Sequence, residues 1–421
     1  MPAPTRSEQL LVDLCRRNPT RDLLRTLRDL GDDVDARRDL GELALRHGVF
    51  GLVLCQLESA ALGNPSLPDG SHEFLASLKT FRHQAVMWDL EYERVLHALR
   101  GLPSNPVVLK GAALRITLYE ESAQRPIGDF DLLVPTEEAT AAVDALEKAG
   151  YEGPPTQAIT DAYVAHHFHH RVLHPNGFIV EIHWGLTRPD DPFRLDGEQF
   201  RRDSALVDRG PQPPIRVPCP EDMVLHMSTQ NVDDGFARFG RLVDIDRLAV
   251  AHELDWDRIV RASRAGGLDG VVAVTLQLCA RLLDTPVPAH VMRRLRPSRS
   301  VRTHIALMDP MVFSVSRSVH LDHAARRALR LWLIDGTQRR VRRGWRIVTD
   351  TEDAMRWVWA AKQERRARLD LLHATKSAMA FATHQLRFYT QSLWKLLTPS
   401  GRGSLRFWDP PLGTGERSES K

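Results

Sequence analysis

The chain has 421 residues, 43% hydrophobic and 26% charged, with a formal net charge of +3, the composition of an ordinary soluble globular protein of two or three domains. No apolar run approaches the roughly 18–20 residues that a transmembrane helix needs, and the opening "MPAPTRSEQLLVDLCRRNP" lacks the apolar stretch and cleavage site of a secretory signal. Cys15, Cys55, Cys219 and Cys279 are scattered without a CxxC pair, which argues against a zinc site or a disulfide framework and makes a reducing cytoplasm the expected location.

Residues 1–95 carry apolar side chains at three-to-four spacing and are expected to form an N-terminal helical region, with "NPSLPDGS" as a loop. The texture changes at "NPVVLKGAALRITLYEES", which reads as a strand at 107–109, a turn at Lys110-Gly111-Ala112 and the start of a helix. A second strand is expected over 127–134, "IGDFDLLV", followed by a helix with Thr136 as N-cap and Gly150 as its stop. "HHRVLHPNGFIVEIHWGL" alternates around Pro175-Asn176-Gly177 and reads as a hairpin. The resulting expectation is an α/β (α+β) core with a small mixed sheet over 96–205. A helical region at 206–300 and a basic helical region at 301–421, with a polar tail, are expected to follow it. That last region holds 22 Lys/Arg against 11 Asp/Glu, leaving everything before it net acidic.

The chemistry concentrates in the α/β segment. Asp129 and Asp131 flank Phe130, so in a strand both carboxylates leave the same face, with Cα atoms roughly 6.5–7 Å apart. Like charges so close call for a cation between them. In "FIVEIHW", Glu181 and His183 share the face opposite Val180, Ile182 and Trp184. If the hairpin lies beside the Asp strand, Glu181 completes a three-carboxylate patch suited to hard divalent cations, Mg²⁺ above all. A pair of such ions would serve in-line phosphoryl displacement. The Gly111 turn lets backbone amides and a helix N-terminus approach a polyphosphate.

"LKGAAL…RPIGDFDLLV…VEIHW" resembles the DNA polymerase β-type nucleotidyltransferase superfamily, and more narrowly a bacterial group described as uncharacterised nucleotidyltransferases. The resemblance covers roughly residues 40–290 and takes in the flanking helices. It implies that Gly111 and Ala112 form the phosphate turn, that Asp129 and Asp131 hold two Mg²⁺ or Mn²⁺ ions, and that Glu181 is the third carboxylate. Ala112 stands where the superfamily has Gly or a small polar residue, and the spacer to the Asp pair is longer than usual. Some members of the group sit in natural-product and polysaccharide gene clusters.

Plainer readings stand beside these. Lys110 and Arg125 are expected to contact the triphosphate, against a surface lysine and an arginine that only neutralises the acids. His183 would position the acceptor, act as general base or make a structural hydrogen bond. His166, His167, His169 and His170 straddle two strand faces or a loop, which disfavours a dedicated metal site. Asp244 and Asp246 do not share a helix face and read as solvated or salt-bridged, with Asp244 near the nucleotide as the sharper alternative. Trp332, Trp345, Trp357 and Trp359 read as core, and "RRVRRGWR" (339–346) as a solvated face, the alternative being contact with RNA, an acidic protein or an anionic membrane surface.

The expected function is metal-dependent transfer of a nucleoside monophosphate from an NTP to a small molecule, peptide or sugar, with release of pyrophosphate. Two alternatives remain open: a non-catalytic nucleotide-binding scaffold, and a toxin-type enzyme acting on tRNA or protein.

Overall fold

Side-chain oxygens placed just ahead of apolar stripes start the N-terminal helices. At α1 (Arg6–Cys15) the Thr5 hydroxyl accepts from the Glu8 amide while the Glu8 carboxylate accepts from the Thr5 amide, a reciprocal capping box. Asp22 and Asp33 cap α2 (Leu23–Asp32) and α3 (Val34–Arg46) with single bonds. Residues Phe50 to Cys55 of α4 (Phe50–Ala61) are all buried, as a helix enclosed by neighbours requires. The 30-residue α5 (Asp69–Ala98) then packs against α2 and α4. The structure is a computed structural model that describes residues 5–295, except 63–65, 154–160, 190, 211, 234, 235 and 237, together with 333 and 334. Trp332, Trp345, Trp357, Trp359, the basic run 339–346 and, apart from Leu333 and Ile334, the basic helical region expected over 301–421 lie outside the described residues.

A six-stranded mixed sheet holds the centre. Its elements in chain order are β1 (Val107–Val108), α6 (Lys110–Leu118), β2 (Phe130–Leu133), α7 (Ala139–Lys148), α8 (Asp161–His166), β3 (His169–Leu173), β4 (Ile179–His183), α9 (Gly197–Arg202), β5 (Ala205–Arg209) and β6 (Gln212–Val217). The strand order is β3-β4-β2-β1-β6-β5. β2 pairs in parallel with β4 and antiparallel with β1, while β1 pairs in parallel with β6. The architecture is α+β, as the sequence predicts. The hairpin forms around Gly177, whose φ of +89° belongs to the left-handed region that glycine adopts freely.

Three features differ from the sequence expectation. The second strand begins only at Phe130, so Ile127, Gly128 and Asp129 lie ahead of the ladder. Thr136 lies in a 3₁₀ turn, Thr136–Glu138, and α7 starts at Ala139 without a side-chain cap. The sheet also runs past residue 205 into the β5–β6 hairpin. "QPPIRV" hides this strand, since paired prolines read as loop. Here β1 reaches only Arg216, beyond the prolines, and the Pro213 carbonyl accepts from the Arg209 guanidinium.

Five helices follow: α10 (Pro220–Asp233), α11 (Gly240–Ala251), α12 (Trp256–Gly266), α13 (Asp269–Leu283) and α14 (Ala289–Leu295). The N-terminal helices, one face of the sheet and these later helices share a single apolar core. Alternation along β2 decides what faces it. Phe130 and Leu132 enter that core, Phe130 against Trp88 and Tyr92 of α5, whereas Leu133 packs on the other face with Val107, Leu109, Leu186 and Phe200. Asp131 shares the face of Leu133. Among the described residues, no helix is long and apolar enough to cross a membrane.

Close packing at α4 makes one position testable. A β-carbon on Gly51 would lie 1.9 Å from the Ala123 carbonyl oxygen, so α4 and the 3₁₀ turn Ser122–Gln124 touch through a glycine. Gly51→Ala is expected to lower stability by about 3 kcal/mol, read as a shifted midpoint in urea unfolding followed by circular dichroism.

Candidate active site

β2 carries Asp131 into the interior, where the residue is 2% exposed. A buried carboxylate is tolerated only when paired and hydrogen-bonded. A lysine ammonium and a histidine ring meet that demand on one oxygen: Lys110 Nζ lies 2.6 Å and His183 Nε2 2.8 Å from Oδ1 of Asp131. Burial alone would raise the Asp131 pKa, but the Lys110 charge and the His183 hydrogen bond hold the carboxyl far below the usual range. Lys110 opens α6 with a φ of +48°, a left-handed backbone uncommon for a side-chain-bearing residue.

Parallel pairing of β2 with β4 puts Glu181 directly beside Asp131, and His183 beside Leu133. The convergence of Asp131 with Glu181 therefore follows from one register, two strands wide. His183 Nε2 also lies 3.4 Å from Glu181 Oε2, so this ring braces both carboxylates. Burial opposes a proton on His183, yet its bonds to Asp131 and Glu181 raise its pKa. The ring is 1% exposed and turned toward the acids. Asp129 sits just ahead of β2, half-buried, and among the described residues it makes no hydrogen bond or ion pair. Burial, then the neighbouring Asp131 charge, push its pKa up to about 6.

Arg125 turns to a different acid. Its Nε lies 2.9 Å from Oδ1 and its Nη2 2.9 Å from Oδ2 of Asp244, and Nη1 donates to the Pro126 carbonyl. Asp244 is fully buried on α11 and also accepts from the Tyr119 hydroxyl at 2.7 Å. Of the two readings for Asp244 and Asp246, salt-bridged holds and solvated does not. Asp246 is likewise buried, pairing with Arg17 and accepting from Thr285. A β-carbon on Gly111 would meet Ile127 Cγ2 at 3.2 Å and the Arg125 guanidinium at 3.5 Å, so the turn and Arg125 lie in contact. The Ala112 side chain is buried in the core, and no side chain caps the N-terminus of α6.

Residues that sequence reasoning did not assign to this site also reach it. His169 pairs across the hairpin with His183, and their rings lie 5.1 Å apart. Counting outward from the Asn176-Gly177 turn would have found this pair. Burial, then the His183 charge, lower the His169 pKa to about 4. Its neighbour His170 faces the opposite side of β3, which splits the histidine run as alternation requires. Buried His226 of α10 is held neutral, its pKa lowered to about 3 by burial and by the Lys110 charge. Arg238, ahead of α11, acts electrostatically on Asp129. Nothing local in the sequence marks either residue, because both come from beyond the sheet.

The donor set suits a divalent cation. One ligand atom each from Asp131, Glu181 and His183 lie within 4.8 Å of one another, the one such group among the described residues. The two carboxylate oxygens suit Mg²⁺ or Mn²⁺, with the His183 ring bracing them through Nε2. Asp129 stands outside that spacing.

Two measurements test these electrostatics. Asp244→Ala leaves the Arg125 guanidinium and Tyr119 hydroxyl buried without their partner. It is expected to cost about 3 kcal/mol in chemical unfolding, whereas an isolated surface pair would cost almost nothing. For Asp129 the folded pKa, about 6, lies above the ordinary 3.8. Its contribution favours the fold below about pH 4 and is lost as pH rises through 6. Asp129→Asn in EDTA is therefore expected to raise the melting temperature at pH 7.5, with the gain vanishing near pH 4; a pH-independent difference would contradict it.

Comparison with known families bears on these residues directly. The model of the family described as "Uncharacterised nucleotidyltransferase" matches residues 35–284, which include the whole sheet, α4 to α13 and every residue of the cluster. No curated protein and no solved structure matches the chain. With well over half of its length matched by that one model, the chain belongs to the uncharacterised nucleotidyltransferase family.

Proposed function

We propose that this nucleotidyltransferase moves a nucleoside monophosphate from an NTP to a hydroxyl-bearing acceptor, in a reaction that depends on Mg²⁺ or Mn²⁺. The observation that carries the reading is the pairing of Asp131 with Glu181 on adjacent parallel strands, with Asp129 one residue ahead of that ladder and the uncapped start of α6 beside it. Such an arrangement presents anionic ligands and free backbone amides to the same small volume, which is what a metal-bound triphosphate needs.

In this reading an acceptor oxygen forms a bond to the α-phosphorus while the bond from that phosphorus to the bridging oxygen breaks. Pyrophosphate leaves with the electron pair. Asp131 and Glu181, with His183 beside them, would hold a divalent cation, and Asp129 would supply a ligand for a second. Bound cations would polarise the phosphoryl oxygens and neutralise charge on the departing pyrophosphate. The amides of Gly111 and Ala112 would orient the phosphates, and Lys110 would add a positive charge there. Arg125 supports the turn from behind, its guanidinium being committed to Asp244. Asp129, a carboxylate that makes no hydrogen bond or ion pair among the described residues, would have an oxygen free to take the acceptor's proton. We propose a small molecule, sugar or peptide as acceptor.

The test is release of pyrophosphate from labelled NTPs, with Mg²⁺ or Mn²⁺ and a panel of hydroxyl acceptors. Asp131→Asn is expected to lower the rate at least about 100-fold, and EDTA to abolish it. Equal release by wild type and variant would sink the reading.

A further inference from the structure

Resting on the reading of Asp131 and Glu181 as cation ligands, we propose that Lys110 is an internal stand-in for the metal. Its ammonium neutralises Asp131 while no cation is bound, and arrival of the cation releases it toward the triphosphate. Metal and NTP would thereby bind cooperatively, each favouring the arrangement that the other needs.

The geometry points to exchange at a single atom. Oδ1 of Asp131 accepts from both Lys110 Nζ, at 2.6 Å, and His183 Nε2, at 2.8 Å. A carboxylate oxygen offers about two lone-pair directions, so a cation that takes Oδ1 must remove one of these donors. His183 is the fixed one. Its ring is buried, its backbone is held in β4 between β2 and β3, and its Nε2 is shared with Glu181. Lys110 is the movable one, a compact charge on a four-carbon stem whose side chain keeps 20% exposure. It is also the first residue of α6, so its Cα already stands at the turn where phosphates would dock. An ammonium released from Asp131 has only a short path to that anion. No other lysine or arginine donates to Asp131 or Glu181 among the described residues, which leaves this exchange to Lys110 alone.

The experiment titrates Mn²⁺ into the full-length chain, following free Mn²⁺ by electron paramagnetic resonance, with and without a non-hydrolysable NTP analogue. Wild type is expected to bind Mn²⁺ more tightly when the analogue is present. Lys110→Met, neutral and of similar length, is expected to bind Mn²⁺ at least about tenfold tighter than wild type without nucleotide, and to lose most of the nucleotide-induced tightening. Lys110→Arg, whose planar fork can hold the carboxylate through two bonds, is expected to bind Mn²⁺ more weakly than wild type. Equal Mn²⁺ affinity in all three folded chains, or weaker binding by Lys110→Met, would overturn the stand-in role while leaving the metal site intact. Absence of Mn²⁺ binding in all three would instead remove the metal reading and this inference with it. Should Lys110→Met fail to fold by circular dichroism, Lys110→Arg decides alone: weaker binding supports the exchange, and equal or tighter binding overturns it.

Discussion

A carboxylate buried in the middle of a sheet governs the design of this protein. Asp131 is enclosed by β1, β4 and the start of α6, and a lone charge there would cost several kcal/mol. The fold answers by bringing a lysine from α6 and a histidine from β4 to the same oxygen. Those two contacts fix more than charge. They tie the first turn of α6 to β2 and lock the His183 ring toward Glu181, so neutralisation and preorganisation come from the same bonds.

The same economy recurs one layer away. Asp244 is buried on α11 and receives Arg125 and Tyr119, which flank the segment leading from α6 to β2. This second neutralised carboxylate makes a helix from well beyond the sheet part of the site's wall. It also explains why Arg125 lies against Gly111: the glycine leaves room for a guanidinium whose direction is set by Asp244. Contact between the turn and this arginine is thus structural support for the start of α6, carried by an ion pair whose carboxylate is fully buried.

Much of the site could be read from spacing alone. Two aspartates flanking a phenylalanine, and a Glu-x-His two positions apart after an Asn-Gly turn, each specify a face through the two-residue period of a strand. Their meeting needed only β4 to settle beside β2. Other features left no such mark. The β5–β6 hairpin is disguised by Pro213 and Pro214, whose missing N–H groups fall where no ladder partner requires them. His169 was concealed among four histidines until the register separated it from His170.

By itself the sequence determined most elements of the core, the face that Glu181 shares with His183 and the family, because helix and strand periods and turn chemistry are local properties of the chain. Only the tertiary structure decided which cation answers which acid. Lys110 and His183 converge on Asp131, whereas Arg125 reaches an aspartate 119 residues away. A buried charge selects its partner by distance in three dimensions, through packing that no local period encodes.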